Sequence, residues 1–254
     1  MSKNGKVAIV TGAGGGVGKA ITRRLSHEGC RVVLVGRDRA KLSKVVAESK
    51  DNKNLMAISA NISREAEVLS VIEQTISTFD TIDILVNNAG IEIEKPIQEL
   101  SVEDWDFILQ VNLRGAFLLT QAALPLFPET GGAIVNISSI HATHAFPDSI
   151  PYACSKAGMV ALTRNLALEL APRKIRVNCI SPGYVDTRLW EEYLRNSKNP
   201  QAVAEQTTAL HPLGRRGAPA DVGDAVLFLA SDASAFITGT DLVIDGGLTL
   251  RAHP

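Results

Sequence analysis

A chain of 254 residues that is 45% hydrophobic and 21% charged can bury a sizeable core, which suits a soluble globular protein of one large α/β domain or two small ones. Its 26 basic and 27 acidic residues leave a formal net charge of −1, so nothing in the balance points to nucleic acid or to an anionic membrane surface. Cys30, Cys154 and Cys179 are too scattered for a CxxC or zinc pattern and fit isolated buried thiols in a reducing compartment.

The N-terminus carries no apolar signal region, and no apolar run reaches about 18 residues, so the expected location is cytoplasmic. Val7-Ala-Ile-Val-Thr11 is a short apolar run ending in glycines, as a buried strand does. From Val17 to Glu28, apolar residues recur at Val17, Ile21 and Leu25, a helical period closed by Gly29. Strands follow at Arg31–Val35, Leu55–Ile58 and Ile82–Val86, with helices at Arg39–Lys50 and Glu65–Phe79 between them. Ser101 opens a helix with an acid, Asp104, at the capping-box position, and helix runs on from Asn112 to Leu126. Ala133–Ile137 reads as the fifth strand, and Tyr152–Leu170 as a long helix that stops near Pro172. Ile175–Cys179 is the sixth strand, Ala220–Leu229 a helix and Asp241–Ile244 the last strand. Apolar strands alternating with helices predict a parallel sheet covered on both faces. No linker or repeat interrupts the pattern, so residues 1–254 are expected to form a single domain. The irregular stretch 182–216, rich in Pro, Gly, Arg and aromatics, is expected to be a substrate lid.

Between the first strand and the first helix lies Thr11-Gly-Ala-Gly-Gly-Gly-Val-Gly18. Bare backbone there lets a pyrophosphate approach, and the helix N-terminus offers N–H groups and a positive dipole end. Its TGxxxGxG spacing is neither GxGxxG nor a P-loop. At the end of the second strand, where NAD-binding folds place an acid for the ribose 2′-OH, the chain has Gly36, then Arg37 and Asp38. Arg37 suits a 2′-phosphate and argues for NADP; Asp38 keeps NAD open. Tyr152-Ala-Cys-Ser-Lys156 puts a phenol and an ammonium on one helix face. A neighbouring ammonium stabilises the phenolate, making the pair a proton donor and acceptor for a carbonyl or alcohol.

These motifs, with Asn87-Asn-Ala-Gly90, Val111-Asn-Leu113, Ile137-Ser-Ser139, Ser181-Pro-Gly183 and the ending Thr238–Gly247, resemble those of the short-chain dehydrogenase/reductase family, in its compact single-domain branch. The resemblance covers most of the chain. It implies a Rossmann-like doubly wound parallel sheet of about seven strands with helices on both faces. It implies Tyr152 as general acid or base, Lys156 lowering its pKa and holding the nicotinamide ribose, and Ser139 bonding the substrate oxygen. Asn112 would anchor a water linking Lys156 to solvent. The implied cofactor contacts are Gly12, Gly14, Gly15, Gly16, Val17 and Gly18, then Asn88, Ala89 and Gly90, and Pro182, Gly183, Val185 and Thr187. Asn61 and Ile62 stand where many relatives carry an aspartate against the adenine. The resemblance also suggests a homotetramer or homodimer built from the helices Asn112–Leu126 and Tyr152–Leu170 and the C-terminal segment.

For the substrate, the loop from Ile140 to Pro147 brings His141 and His144, one imidazole facing the pocket and the other a loop or solvent. No further ligand accompanies them, and no metal is expected. Tyr184 and Trp190, with Tyr193, fall in the lid. Arg188, Arg195, Arg215 and Arg216 are either a solvated face or an attraction for an acidic, carrier-bound substrate. The function expected is an NAD(P)-dependent oxidoreductase acting on a small carbonyl or alcohol. A 3-oxoacyl thioester reductase should show an apolar tunnel, and a sugar, polyol or hydroxy-acid dehydrogenase a polar pocket around His141. A nucleotide-binding regulator without catalysis is the reading from another class.

Overall fold

Seven strands run in one parallel sheet: β1 (Val7–Thr11), β2 (Arg31–Gly36), β3 (Leu55–Ser59), β4 (Ile84–Asn87), β5 (Gly132–Ile137), β6 (Ile175–Pro182) and β7 (Asp241–Ile244). Their order is β3-β2-β1-β4-β5-β6-β7, with every neighbouring pair parallel. The computed structural model describes residues 5–250. Helices α1 (Gly16–His27), α2 (Arg39–Ala47), α3 (Glu65–Phe79), α4 (Val102–Leu109), α5 (Gly115–Ala123) and α6 (Ile150–Leu170) cross between strands, and α7 (Arg188–Asn196), α8 (Pro200–Leu210) and α9 (Pro219–Leu229) follow β6.

The two-residue period of a strand sorts the core into two layers. Ala8, Val10, Val32 and Leu34 face one way and pack on Ile21 and Leu25 of α1, Leu42 of α2 and Val226 of α9. Ile9, Val33 and Val35 face the other way, onto Val68 and Val71 of α3, Leu119 of α5 and Leu170 of α6. Strands buried on both faces therefore read as unbroken apolar runs. The order reverses between β1 and β4, which opens a crevice at the strands' carboxyl ends. The turns after β1, β2, β4, β5 and β6 all end there.

Five local expectations are corrected. The lid holds two helices: Thr187 caps α7, accepting from Trp190 N at 3.5 Å, and Asn199 caps α8, accepting from Ala202 N at 3.1 Å with Pro200 next. β4 begins at Ile84, because the Asp83 carboxylate turns to accept from the Val7 N–H at 2.8 Å. Between α4 and α5 the helix widens into a π turn at Gln110–Arg114. The stretch Val102–Leu126 is long and apolar enough to cross a membrane by length and composition, with mean hydropathy 1.3, yet half of it is buried inside the fold, against α3 and α6. Cys30 and Cys179 are buried, but Cys154 is exposed on the outer side of α6.

Candidate active site

The glycine-rich turn is shaped by contacts that tolerate no side chain at its base. A Cβ on Gly18 would stand 2.2 Å from the Gly12 carbonyl oxygen and 2.8 Å from Asn88 Nδ2. Gly12, with φ +67°, and Gly16, with φ +49°, hold left-handed backbone. Asn88 braces the turn, donating from Nδ2 to the Thr11 carbonyl at 2.8 Å, while Thr11 Oγ1 accepts from the N–H groups of Asn88 and Ala89, each at 2.9 Å. Above the turn the space is open: a Cβ on Gly15 would meet nothing within 4 Å. This cradle, at the N-terminus of α1 with no acid in its first turn, fits a pyrophosphate. Val17 packs against the α1 side of the core. The Thr187 methyl lies 3.5 Å from a Gly16 Cβ, which brings the lid's first residue over the cradle.

Arg37 is exposed at the end of β2, its guanidinium without a side-chain partner among the described residues. Asp38 is engaged elsewhere. It caps α2, accepting from Lys41 N at 3.0 Å and pairing with Lys41 Nζ at 3.2 Å, and these bonds hold its carboxyl below the usual range. Lys41 Cβ sits 3.2 Å from where a Gly14 Cβ would be, so α2 sets a basic residue against a turn that carries none of its own. Asn61 Oδ1 accepts from Ser63 N and Oγ at 3.1 and 2.9 Å, closing a local turn. The Ile62 side chain is buried under α5 at Gly115, which leaves only its backbone to face a ligand.

Ser139 lies two residues beyond the end of β5, and Tyr152 and Lys156 stand in the first turns of α6. The expected helix face is realised: Lys156 Nζ lies 5.3 Å from the Tyr152 ring centroid and donates to the Ile137 carbonyl at 2.9 Å. Burial lowers Lys156 to about 8, while Cys179 and Glu92 oppose the change. Burial also pushes the Tyr152 phenol well up, assisted by Glu92 and opposed by its hydrogen bond with Ser139. The net direction at Tyr152 in this structure is thus upward; the ammonium lies over the ring. Asn112, on the π turn, is fully buried. Its Oδ1 accepts from Ile91 N at 2.8 Å, and its Nδ2 donates to the Ile91 carbonyl at 2.8 Å and to Ser155 Oγ at 3.0 Å. It ties the Gly90–Ile91 backbone to α6, and a Gly90 Cβ would stand 3.4 Å from Lys156 Nζ.

His141 reaches Ser139 Oγ through Nδ1 at 3.1 Å, stacks on Phe146 with centroids 4.0 Å apart, and meets the Tyr152 ring edge-on at 5.2 Å. Its Nε2 lies 3.9 Å from Glu92 Oε1, with the two side chains only 15% and 13% exposed. Ser149 Oγ donates to the same Glu92 oxygen at 3.1 Å. His144 is exposed on the loop and contacts only its neighbour Thr143 among the polar side chains, so the structure places it outside the pocket. An aromatic wall continues from Phe146 to Tyr184 at 6.5 Å and from Tyr184 to the buried Trp190 at 5.5 Å. Pro182 and Gly183 end β6, where Gly183 N donates to the Ile244 carbonyl at 3.2 Å, and Val185 bridges to Gly217 at the lid's base. Among the described residues, no three His, Cys, Asp or Glu side chains are grouped to hold a metal.

Glu92, Ser149, Phe146 and Lys41 are pocket residues that sequence reasoning missed. Glu92 carried one signal, an acid directly after Asn88-Ala-Gly-Ile91, and Lys41 another, a lysine one helical turn beyond the Asp38 cap.

Compared with known proteins, residues 12–249 match a family model described as enoyl-(acyl carrier protein) reductase. The 3-oxoacyl-acyl-carrier-protein reductase FabG of Thermotoga maritima is 37% identical over 252 residues, covering 98% of this chain and 100% of its own. L-fucose dehydrogenase of Bos taurus is 39% identical over 249 residues, covering 97% and 90%. Among solved structures, the 3-ketoacyl-(acyl-carrier-protein) reductase of Brucella melitensis complexed with NADH superposes with a TM-score of 0.90 at 35% identity, covering 98% of this chain and 100% of that one.

Proposed function

This chain belongs to the short-chain dehydrogenase/reductase family and is an oxidoreductase, and on that premise we propose that it interconverts a secondary alcohol and a carbonyl with Tyr152 as general acid and base. The observation that carries the reading is the meeting of Ser139, Tyr152 and Lys156 beside the glycine cradle. Ser139 and Tyr152 offer two hydroxyl donors to one substrate oxygen, which lowers the energy of the charge that develops there. A phenol held up by burial keeps its proton until that oxygen becomes strongly basic, then releases it; in alcohol oxidation the proton returns by the same path. Asn112 positions the loop that faces Lys156. A nicotinamide dinucleotide, held by the turn from Gly12 to Gly18 with Asn88, Ala89, Gly90, Lys156 and Thr187, supplies or accepts the hydride when bound.

The preferred dinucleotide is NADP. Arg37 is exposed at the end of β2 as a cation for a 2′-phosphate, and Asp38 is committed to capping α2 and to Lys41. Titrations with NADPH and with NADH, followed by thermal stability, test this: the larger shift is expected with NADPH, and a larger shift with NADH overturns it.

The substrate is a small hydroxylated molecule of the polyol, sugar or hydroxy-acid kind. The pocket beside Tyr152 is walled by His141, Glu92 and Ser149. The lid arginines are paired: Arg188 with Glu192 at 2.6 Å, Arg195 with Glu192 at 3.8 Å, Arg215 with Asp221 at 2.6 Å and Arg216 with Asp186 at 2.7 Å. That leaves less cationic surface for an acidic carrier. Oxidation of a polyol and sugar panel with NADP, against reduction of acetoacetyl thioesters with NADPH, separates the two readings. Faster thioester reduction would overturn ours. Exposed Phe107, Phe117 and Leu168 on α4, α5 and α6 support self-association as a homotetramer or homodimer, which sedimentation measures.

A further inference from the structure

We infer that Glu92 and His141 are positioning residues for Ser139: together they set which way its hydroxyl proton points, and so whether Ser139 can donate to the substrate oxygen. The inference rests on the reading of Ser139 and Tyr152 as the oxygen-binding pair.

The contacts form one line, from Ser139 Oγ to His141 Nδ1 at 3.1 Å, across the ring to Nε2, and on to Glu92 Oε1 at 3.9 Å, which Ser149 Oγ holds at 3.1 Å. The ring cannot swing away easily, because Phe146 stacks on it and Tyr152 meets it edge-on. The His141 backbone N–H already fills one acceptor position of Ser139 Oγ, at 3.2 Å. A neutral imidazole carries one N–H, and the bond made by one nitrogen decides what the other can do. When Glu92 is ionised, it favours the proton on Nε2. Nδ1 is then an acceptor and draws the Ser139 proton toward itself. When Glu92 is protonated, closing the 3.9 Å gap by about 1 Å lets it donate to Nε2, and Nδ1 carries the N–H. Ser139 then receives two hydrogen bonds, and its own proton is left to point at the substrate oxygen.

The surroundings put this choice in an accessible range. Glu92 faces Glu94 on its own loop, where Asp148 in turn faces Glu94; Ser149 just before α6, with Tyr152 and Lys156 on it; His141 after β5; and Tyr184 after β6. Burial and then Glu94 raise Glu92 to about 7, against Ser149 and Lys156. Burial and then Lys156 lower His141 to about 4. Around neutrality the imidazole is therefore uncharged, and the titrating proton is that of Glu92.

The test uses the full chain labelled with 15N-histidine, with H141F to assign the His141 signals. The expected result is an Nδ1–H tautomer at acid pH giving way to Nε2–H as Glu92 ionises, with one tautomer throughout in E92Q. With a substrate found by the panel above, wild-type kcat should fall with the same midpoint, by up to about tenfold per pH unit. That limb should vanish in E92Q and in H141F while KM changes little. A limb that belongs to Lys156 behaves oppositely: loss of the Glu92 charge lowers the Lys156 pKa, so the limb moves to lower pH in E92Q, and that result overturns the inference. So does a His141 tautomer that ignores pH, with the oxidoreductase reading left intact. If His141 titrates with Glu92 but no alcohol or carbonyl is turned over, the reading of Ser139 as a substrate contact fails, and the positioning role falls with it.

Discussion

At Tyr152 one oxygen atom separates a catalyst from a wall. Tyr152→Phe keeps the ring that His141 and Lys156 pack against and removes only the hydroxyl that bonds Ser139. Positioned acid–base groups contribute about 100-fold to 10,000-fold, so turnover should fall by at least about 100-fold. The thermal shift produced by NADPH should persist, and a variant within about tenfold of wild type would remove Tyr152 from the mechanism. Arg37→Ser tests the dinucleotide. A charged hydrogen bond is worth about 1.5–3 kcal/mol, so NADPH affinity should weaken roughly 10- to 100-fold with NADH affinity unchanged, measured by calorimetry. The two residues differ in how far the chain alone reveals them. Tyr152 is legible because its partner Lys156 lies one helical turn away. Asp38 leaves the dinucleotide open in the sequence, and its engagement with Lys41 at the start of α2 is a contact that no motif announces. The role of Glu92 was not legible from its one local signal, because its neighbours His141, Ser149 and Tyr184 come from three other segments, which only the sheet order brings together.

At the scale of elements, the glycine-rich turn divides into a part that folds and a part that binds. Gly18→Ala drives a methyl to within 2.2 Å of the Gly12 carbonyl oxygen, and both that backbone and the Asn88 brace must move. Overpacking of this kind costs about 1–3 kcal/mol, and chemical denaturation should show it together with lost cofactor binding. Gly15→Ala meets nothing within 4 Å on extended backbone, so stability should stay within about 0.5 kcal/mol of wild type. Its methyl stands in the cradle, however, and NADPH binding should weaken. Equal stability losses in the two variants would refute this division. The strands were legible because β1, β2 and β4 are buried on both faces and read as apolar runs, while the edge strands β3 and β7, only partly buried, keep short apolar runs of their own. The lid helices were less legible: α7 is short and dense in charge, although Leu189, Trp190, Tyr193 and Leu194 recur at helical spacing. Its signals are local, the Thr187 cap and the Asn199-Pro200 start of α8. The π turn at Asn112 has no sequence signature of its own; Gly115 beneath Ile62 and Gly158 beneath Leu113 are the close approaches that accompany it.

For the whole molecule, the buried pocket writes a signature into stability against pH. Glu92 is raised from 4.5 to about 7, so the folded state keeps a proton that the unfolded chain has released. Its contribution is complete below pH 4.5 and is lost as pH rises through 7. His141 is lowered from 6.5 to about 4, so its contribution is complete above 6.5 and is lost as pH falls through 4. Each shift corresponds to about 3 kcal/mol, and between pH 4.5 and 6.5 the two slopes run in opposite directions and largely cancel. Burial is the largest cause of both shifts, and neither residue is among the main causes of the other's, so single substitutions should expose the remaining slope. The stability of H141F should itself fall by about 3 kcal/mol as pH rises from 4.5 to 7, and that of E92Q should rise by a similar amount over 4 to 6.5. Lys156, lowered to about 8, adds stability as pH rises from 8 toward 10.5, above the range compared; in E92Q the loss of the Glu92 charge starts that rise at lower pH. Urea denaturation at a series of pH values decides the matter. Parallel curves for the three proteins would mean that the pocket admits enough water to keep both groups near their ordinary values. Opposite slopes would mean that the fold holds the catalytic pocket dry at a cost in stability.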